Sequence, residues 1–155
     1  MIIPIFTRWM IFYYQDLLID DKTENRVLLL FFHFALILHT IKGKKNEKTT
    51  QSIFDNIFQN IEYTLRELGD GDVAVNKKMK NLTRIFYDIL LTIDKSDSIF
   101  TDDNFRLLKK YFFNHKNQTI INFNKLSDYF SKFKDFCFDL DVKNMLNGSF
   151  NFIYK

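Results

Sequence analysis

The chain has 155 residues and a mass of 18.7 kDa, room for one domain and little more. Apolar residues make up 46% and charged residues 26%, which excludes wholesale disorder, and a net charge of 22 − 19 = +3 is too mild to imply nucleic acid by itself. One proline and four glycines leave too few turn residues for an all-β sandwich or barrel, so the expected class is all-α: a single compact bundle of about six to seven helices spanning 1–155, with a buried apolar central helix.

The first predicted helix runs from about Ile5 to Leu18, with Pro4 tolerated at its start. Arg8 and Asp16 interrupt its apolar run, no basic residue precedes it and no small-residue cleavage site comes after it, so it makes a poor signal peptide. The polar stretch Asp20 to Glu24 ends it, and Asp21 or Thr23 can cap the next helix. Val27 to Ile41, VLLLFFHFALILHTI, is apolar nearly all round. Fifteen helical residues reach only about 22 Å, short of the roughly 30 Å hydrocarbon core, and His33 and His39 lie inside the run with Arg26 and Lys42 at its ends. It is read as the central helix of the bundle.

The linker Lys42 to Thr50 is polar and basic and offers Thr49 or Thr50 as the next cap. Ile53, Phe54, Ile57, Phe58, Ile61, Leu65 and Leu68 then form one apolar stripe at helical spacing, stopped by Gly69. After the turn Gly69 to Asp72, a helix from about Val75 to Ile93 carries Met79, Leu82, Ile85, Phe86, Ile89 and Leu90 on one side. Lys77, Lys80 and Arg84 share another face, with Lys78 beside them. A shorter helix is predicted after a Thr101 cap, opened by Asp102 and Asp103 and using Phe105, Leu108 and Phe112. A long helix from about Asn124 to Phe138 buries Leu126, Tyr129, Phe130, Phe133 and Cys137, and a short one covers Val142 to Leu146. The one weak strand candidate is IINF at Ile120.

Chemistry-bearing constellations are missing from the pattern, so no catalytic residue, metal ligand or cofactor is expected. Gly69 to Asp72 is too short and acidic for a phosphate loop. His33 and His39 are six residues apart, about 240° around a helix, which suits one core histidine and one near a helix end better than a shared metal or an axial haem ligand. Asp94, Asp97, Asp102 and Asp103 read as a solvated loop, and the lone Cys137 as a small core residue in a reducing compartment. The face Lys77, Lys78, Lys80 and Arg84 is open to phosphate backbone or an anionic membrane surface, without any motif for sequence-specific nucleic-acid reading. An excess of 17 Lys over 5 Arg, with 19 Phe, 17 Ile and 14 Asn, points to an A/T-biased genome, in which part of the phenylalanine content is codon drift.

The segment NIEYTLRELGDGDVAVNKKMKNLTRIFYDIL, Asn60 to Leu90, resembles the signature of the ubiquinol–cytochrome c chaperone family. Arg66, Glu67, Leu68, Gly69, Gly71, Asp72, Val75, Lys77, Lys78 and Tyr87 fall in the family order, whereas Asp70, Asn76 and Asp88 stand where the family has valine and two glycines. DDKTENRVLLLFFHF, Asp20 to Phe34, is similar to the family's approach to a long apolar helix, with Arg26 and His33 matching, and DVKNMLNGSFNF, Asp141 to Phe152, to its closing segment.

The resemblance implies a non-enzymatic assembly factor for ubiquinol–cytochrome c reductase, respiratory complex III. Mitochondrial members act with a small partner protein, bind newly made cytochrome b and associate with the ribosome near its tunnel exit. The chain starts directly in the family pattern, so the expectation is a bacterial member working in the cytoplasm, peripheral to the inner membrane, on cytochrome b or another complex III subunit. The alternative is a ribosome- or membrane-tethered adaptor acting through the basic helix face. By residue chemistry, Gly69 and Gly71 permit a tight reversal and Asp72 can cap the second helix. The corner either specifies the fold or faces a partner, and Trp9, Phe12, Tyr13 and Tyr14 are candidates for an exposed client groove.

Overall fold

The computed structural model describes residues 19, 22–43, 47–95, 100, 105–112, 121–146 and 151–154. Among them are six α-helices and no strand: α1 (Thr23–Gly43), α2 (Glu47–Glu67), α3 (Asp72–Lys95), α4 (Arg106–Phe112), α5 (Phe123–Asp139) and α6 (Val142–Leu146). The predicted first helix, with Trp9, Phe12, Tyr13 and Tyr14, lies outside the described residues, as do Asp97, Asp102, Asp103 and His115.

The all-α expectation holds, and α1 is the central helix. It packs against α2, α3 and α5, while α2 packs on α3 and α4 on α5. Successive residues of a helix turn by about 100°, so Phe31 and Phe34 reach one flank and Phe32 with His33 the other. On the first flank Phe86 of α3 meets Phe31 (5.3 Å), Phe34 (5.0 Å), Phe58 (5.5 Å) and Phe54 (5.6 Å) between ring centroids. On the second, Phe32 meets Phe130 (5.1 Å) and Phe112 (5.5 Å). Phe31, Phe32, Phe86 and Phe130 are completely buried, and burial of each such side chain contributes roughly 1.5–3 kcal/mol. These phenylalanines are core residues, whatever the codon bias that favours them.

At 21 residues α1 spans about 31 Å, so by length and composition it could cross a membrane. The fifteen-residue apolar run understates its length. Burial of Phe31, Phe32, Ala35, Leu36 and Ile41 against the other helices is what makes it a core helix.

Several helix ends differ from expectation. The Arg26 amide donates to the Lys22 carbonyl, so Lys22 occupies the cap and Thr23 the first turn of α1. α2 begins at Glu47, ahead of both predicted threonine caps. α4 begins at Arg106, after a Phe105 whose backbone is left-handed (φ 46°) and whose carbonyl takes the Lys109 amide; the predicted Thr101 cap lies outside the described residues. IINF leads into α5 instead of forming a strand, because Asn122 is the N-cap and its side chain accepts the Lys125 amide at 3.0 Å. The predicted apolar stripe of α2 is buried at Ile57, Phe58 and Ile61, but Leu68 is 65% exposed.

Candidate functional site

The α2–α3 corner is built first by backbone. Gly69 has φ +92°, the Gly69 amide donates to the Arg66 carbonyl and the Asp70 amide to the Leu65 carbonyl. That is a Schellman ending, which satisfies two orphan carbonyls of α2 and needs a residue comfortable at positive φ. Gly71 differs: its φ lies outside the positive region and a Cβ there would meet nothing within 4 Å. Its carbonyl accepts the Val75 amide at 2.9 Å, which makes Gly71 the cap of α3 and Asp72 its first helical residue. Asp72 therefore suits the helix dipole but is not the cap expected from sequence.

Charge then ties the two helices across the turn. Arg66 donates to Glu62 (Nη2, 2.8 Å) on its own helix and, through Nη1, to Asp72 on the next. Hydrogen bonds to Asp72 and then Glu62 push its guanidinium pKa further up, so it is a cation at every working pH. Lys78 Nζ donates to Asp70 Oδ2 at 2.6 Å. Val75 is fully buried beneath the corner, and Glu67 has no ion-pair partner among the described residues. Around these pairs, Leu68 and Val73 are 65% and 85% exposed. The corner thus presents two apolar side chains, a set of paired charges and the exposed Glu67 carboxylate to solvent.

Of the residues singled out in sequence, the structure brings Arg66, Glu67, Gly69, Gly71, Asp72, Val75 and Lys78 to this corner. Lys77 begins the outer face of α3. Tyr87 lies fifteen residues beyond Asp72, about 22 Å along α3, with its ring 5.6 Å from Phe54. Arg26 is exposed in the first turn of α1.

His33 has a different role. It is buried on the α5 flank, its ring packed on Phe133 (4.8 Å) and Phe130 (5.2 Å). The Leu29 carbonyl at 2.6 Å can only accept, so Nδ1 carries the proton and Nε2 accepts from the Tyr129 hydroxyl at 2.8 Å. Desolvation lowers its pKa to about 4, the Leu29 bond opposing. Both ring nitrogens are engaged, which leaves neither for a haem iron. His39 and Lys42 instead bond Asp94 at 2.6 and 3.1 Å, fastening the end of α1 to the last turn of α3. Burial opposes ionisation of Asp94, but these two bonds prevail and hold its carboxyl below the usual range. Asp94 is therefore a paired helical residue, not part of a solvated loop. No group of three His, Cys, Asp or Glu side chains fit to hold a metal occurs among the described residues, and Cys137 is buried in α5.

The partners of several side chains are invisible in sequence: nothing there links Tyr129 to His33, or places Tyr111 and Lys110 on Asp88. The same is true of the closing segment, where Phe152 packs on Tyr129 and Phe133 and Tyr154 donates to Asp128 at 2.7 Å.

Fold and corner together define an all-α protein wound round a buried aromatic helix, with the Arg66–Asp72 part of its motif, Val75 and Lys78 gathered at one inter-helix turn. Residues 15–152 match the model of the family described as ubiquinol-cytochrome C chaperone, and the chain belongs to that family. Membership carries a role in the assembly of ubiquinol–cytochrome c reductase, respiratory complex III. Among solved structures, the Cbp3 homolog from Brucella abortus is similar with a TM-score of 0.73 and 24% identity, over 93% of this chain and 81% of that one. At that identity the likeness is one of fold. No curated protein matches the chain.

Proposed function

We propose that the protein is a non-enzymatic chaperone that binds newly made cytochrome b at the cytoplasmic side of the inner membrane and holds it until the other complex III subunits join. The observation that carries this reading is the family match across residues 15–152. The α2–α3 corner is the proposed partner-facing site. Its exposed ion pairs add little to stability, Gly71 has no conformational or steric need to be glycine, and Leu68 and Val73 offer apolar contact where a client or small partner protein could sit. Contact with the ribosome belongs to the same reading as a second partner.

A reduced-minus-oxidised spectrum of membranes from cells depleted of the protein tests it. Selective loss of cytochrome b haem and of assembled complex III, with other respiratory complexes intact, is expected. A normal cytochrome b signal would overturn the client assignment.

A further inference from the structure

The basic face read from sequence changes composition in the structure. Lys78 leaves it, being about 100° from Lys77 around the helix and bonded to Asp70. Val73, Lys77, Lys80, Arg84, Tyr87 and Leu91 succeed one another at spacings of four and three, within an arc of about 80° along some 27 Å of α3, and all six are exposed. The middle of the stripe is three cations; its ends are apolar, with Val73 85% and Leu91 53% exposed.

The acids of α3 offset it only at Arg84. Asp72 is taken by Arg66 and Asp94 by His39 and Lys42, while Asp88, bonded to Lys110 and Tyr111, also lies close enough to Arg84 for their charges to attract. Lys77 and Lys80 have no ion-pair partner among the described residues, and Arg84 bonds the neutral Asn81 at 2.9 Å. The stripe is a net cationic strip, carried mainly by Lys77 and Lys80 with Arg84 partly offset by Asp88, and flanked by water-exposed apolar side chains.

We infer that this face of α3 docks the protein on anionic phospholipid headgroups. Lysine and arginine lay their aliphatic stems along an apolar boundary while their charged ends reach phosphate, and Val73, Tyr87 and Leu91 gain by leaving water at the same boundary. A second copy of the chain is a poor occupant, since antiparallel pairing sets Lys80 against Arg84 and like charges repel. An apolar protein segment is poorer still, because charge is depleted at the centre of protein interfaces. RNA would satisfy the three cations but leave Val73 and Leu91 exposed. The tether rests on the inner-membrane location proposed above and names the surface that provides it; the two surfaces adjoin at Val73, so a client at the corner would bind beside the bilayer.

Co-sedimentation of the full chain with vesicles tests it. Binding is expected to vesicles carrying roughly one-third phosphatidylglycerol and not to pure phosphatidylcholine, and to weaken as salt rises and screening shortens. Each cation near an anionic surface is worth about fivefold in partitioning, so Lys77→Gln, Lys80→Gln and Arg84→Gln together should weaken binding about a hundredfold. Leu91→Asn, with all cations kept, should weaken it severalfold. Circular dichroism verifies that these surface variants fold. Absent binding, equal capture by neutral vesicles, an unaffected triple variant, or preference for a single-stranded RNA over the anionic vesicles would each overturn the proposal, the last reassigning the stripe to nucleic acid. Cytochrome b spectra do not enter this assay, so its failure leaves the chaperone reading standing and the reverse also holds.

Discussion

His33 and Arg66 both match the family pattern, yet they lie in opposite kinds of environment. His33 is buried, neutral and bonded at both nitrogens on the flank of α1 that meets α5. Arg66 is exposed, charged and bonded to carboxylates on two helices at a turn in water. The buried contact stabilises because losing it strands polar groups without solvent. The exposed one contributes little, since water and salt compete for both partners. A matched residue thus signals fold in one place and leaves room for a binding role in the other, and burial separates the two.

The sharpest way to probe the buried side is Phe86, the ring on which α1, α2 and α3 converge. Phe86→Ala should cost about 3–5 kcal/mol in denaturant unfolding, and a loss below about 1 kcal/mol would mean that flank is not a packed core. Next is His33. His33→Leu removes the buried hydrogen bond to the Tyr129 hydroxyl and should cost about 2–3 kcal/mol.

His33 also predicts a pH dependence. Its folded pKa, about 4, lies below the ordinary 6.5 of an unfolded chain, so the unfolded state takes up a proton that the folded state refuses. The stabilisation is complete above about pH 6.5 and declines as pH falls toward 4, by an amount on the order of 3 kcal/mol. His33→Leu should flatten the upper part of that acid limb, and an unchanged limb would place the titration elsewhere.

The corner predicts smaller and unequal effects. Gly69→Ala puts a side chain at φ +92° and should cost about 1 kcal/mol, whereas Gly71→Ala meets open space and should lose only the N-cap preference for glycine, about 0.5 kcal/mol. Equal losses at the two positions would contradict the assignment of Gly69 to the turn and Gly71 to the surface. Smallest of all, Lys78→Ala should leave stability unchanged while removing one tie across the turn.

Periodicity carried much of this fold. The stripe from Ile53 to Leu65, the Phe86–Ile89 face and the Leu126–Cys137 face were legible because each side of those helices meets a different medium. α1 was legible by the opposite sign, being apolar all round. What escaped were contacts made at long sequence separation, such as Tyr129 on His33 and Tyr154 on Asp128, where nothing local marks the partner. Helix starts slipped for a related reason: several neighbouring polar residues can cap, and tertiary packing selects among them, as at Lys22, Gly71 and Phe105. At the site, the Arg66–Asp72 motif was visible in sequence, but the division between Gly69 and Gly71 needed backbone angles, and the Val73–Leu91 stripe needed exposure to separate Lys78 from its neighbours.

The most direct test is the cytochrome b spectrum of membranes from cells whose only copy of the protein carries Arg66→Ala and Asp72→Ala, with its cellular level blotted in parallel. The account predicts normal accumulation of the variant together with reduced cytochrome b absorbance. Normal absorbance at normal accumulation would contradict it, and would return the corner to the fold alone.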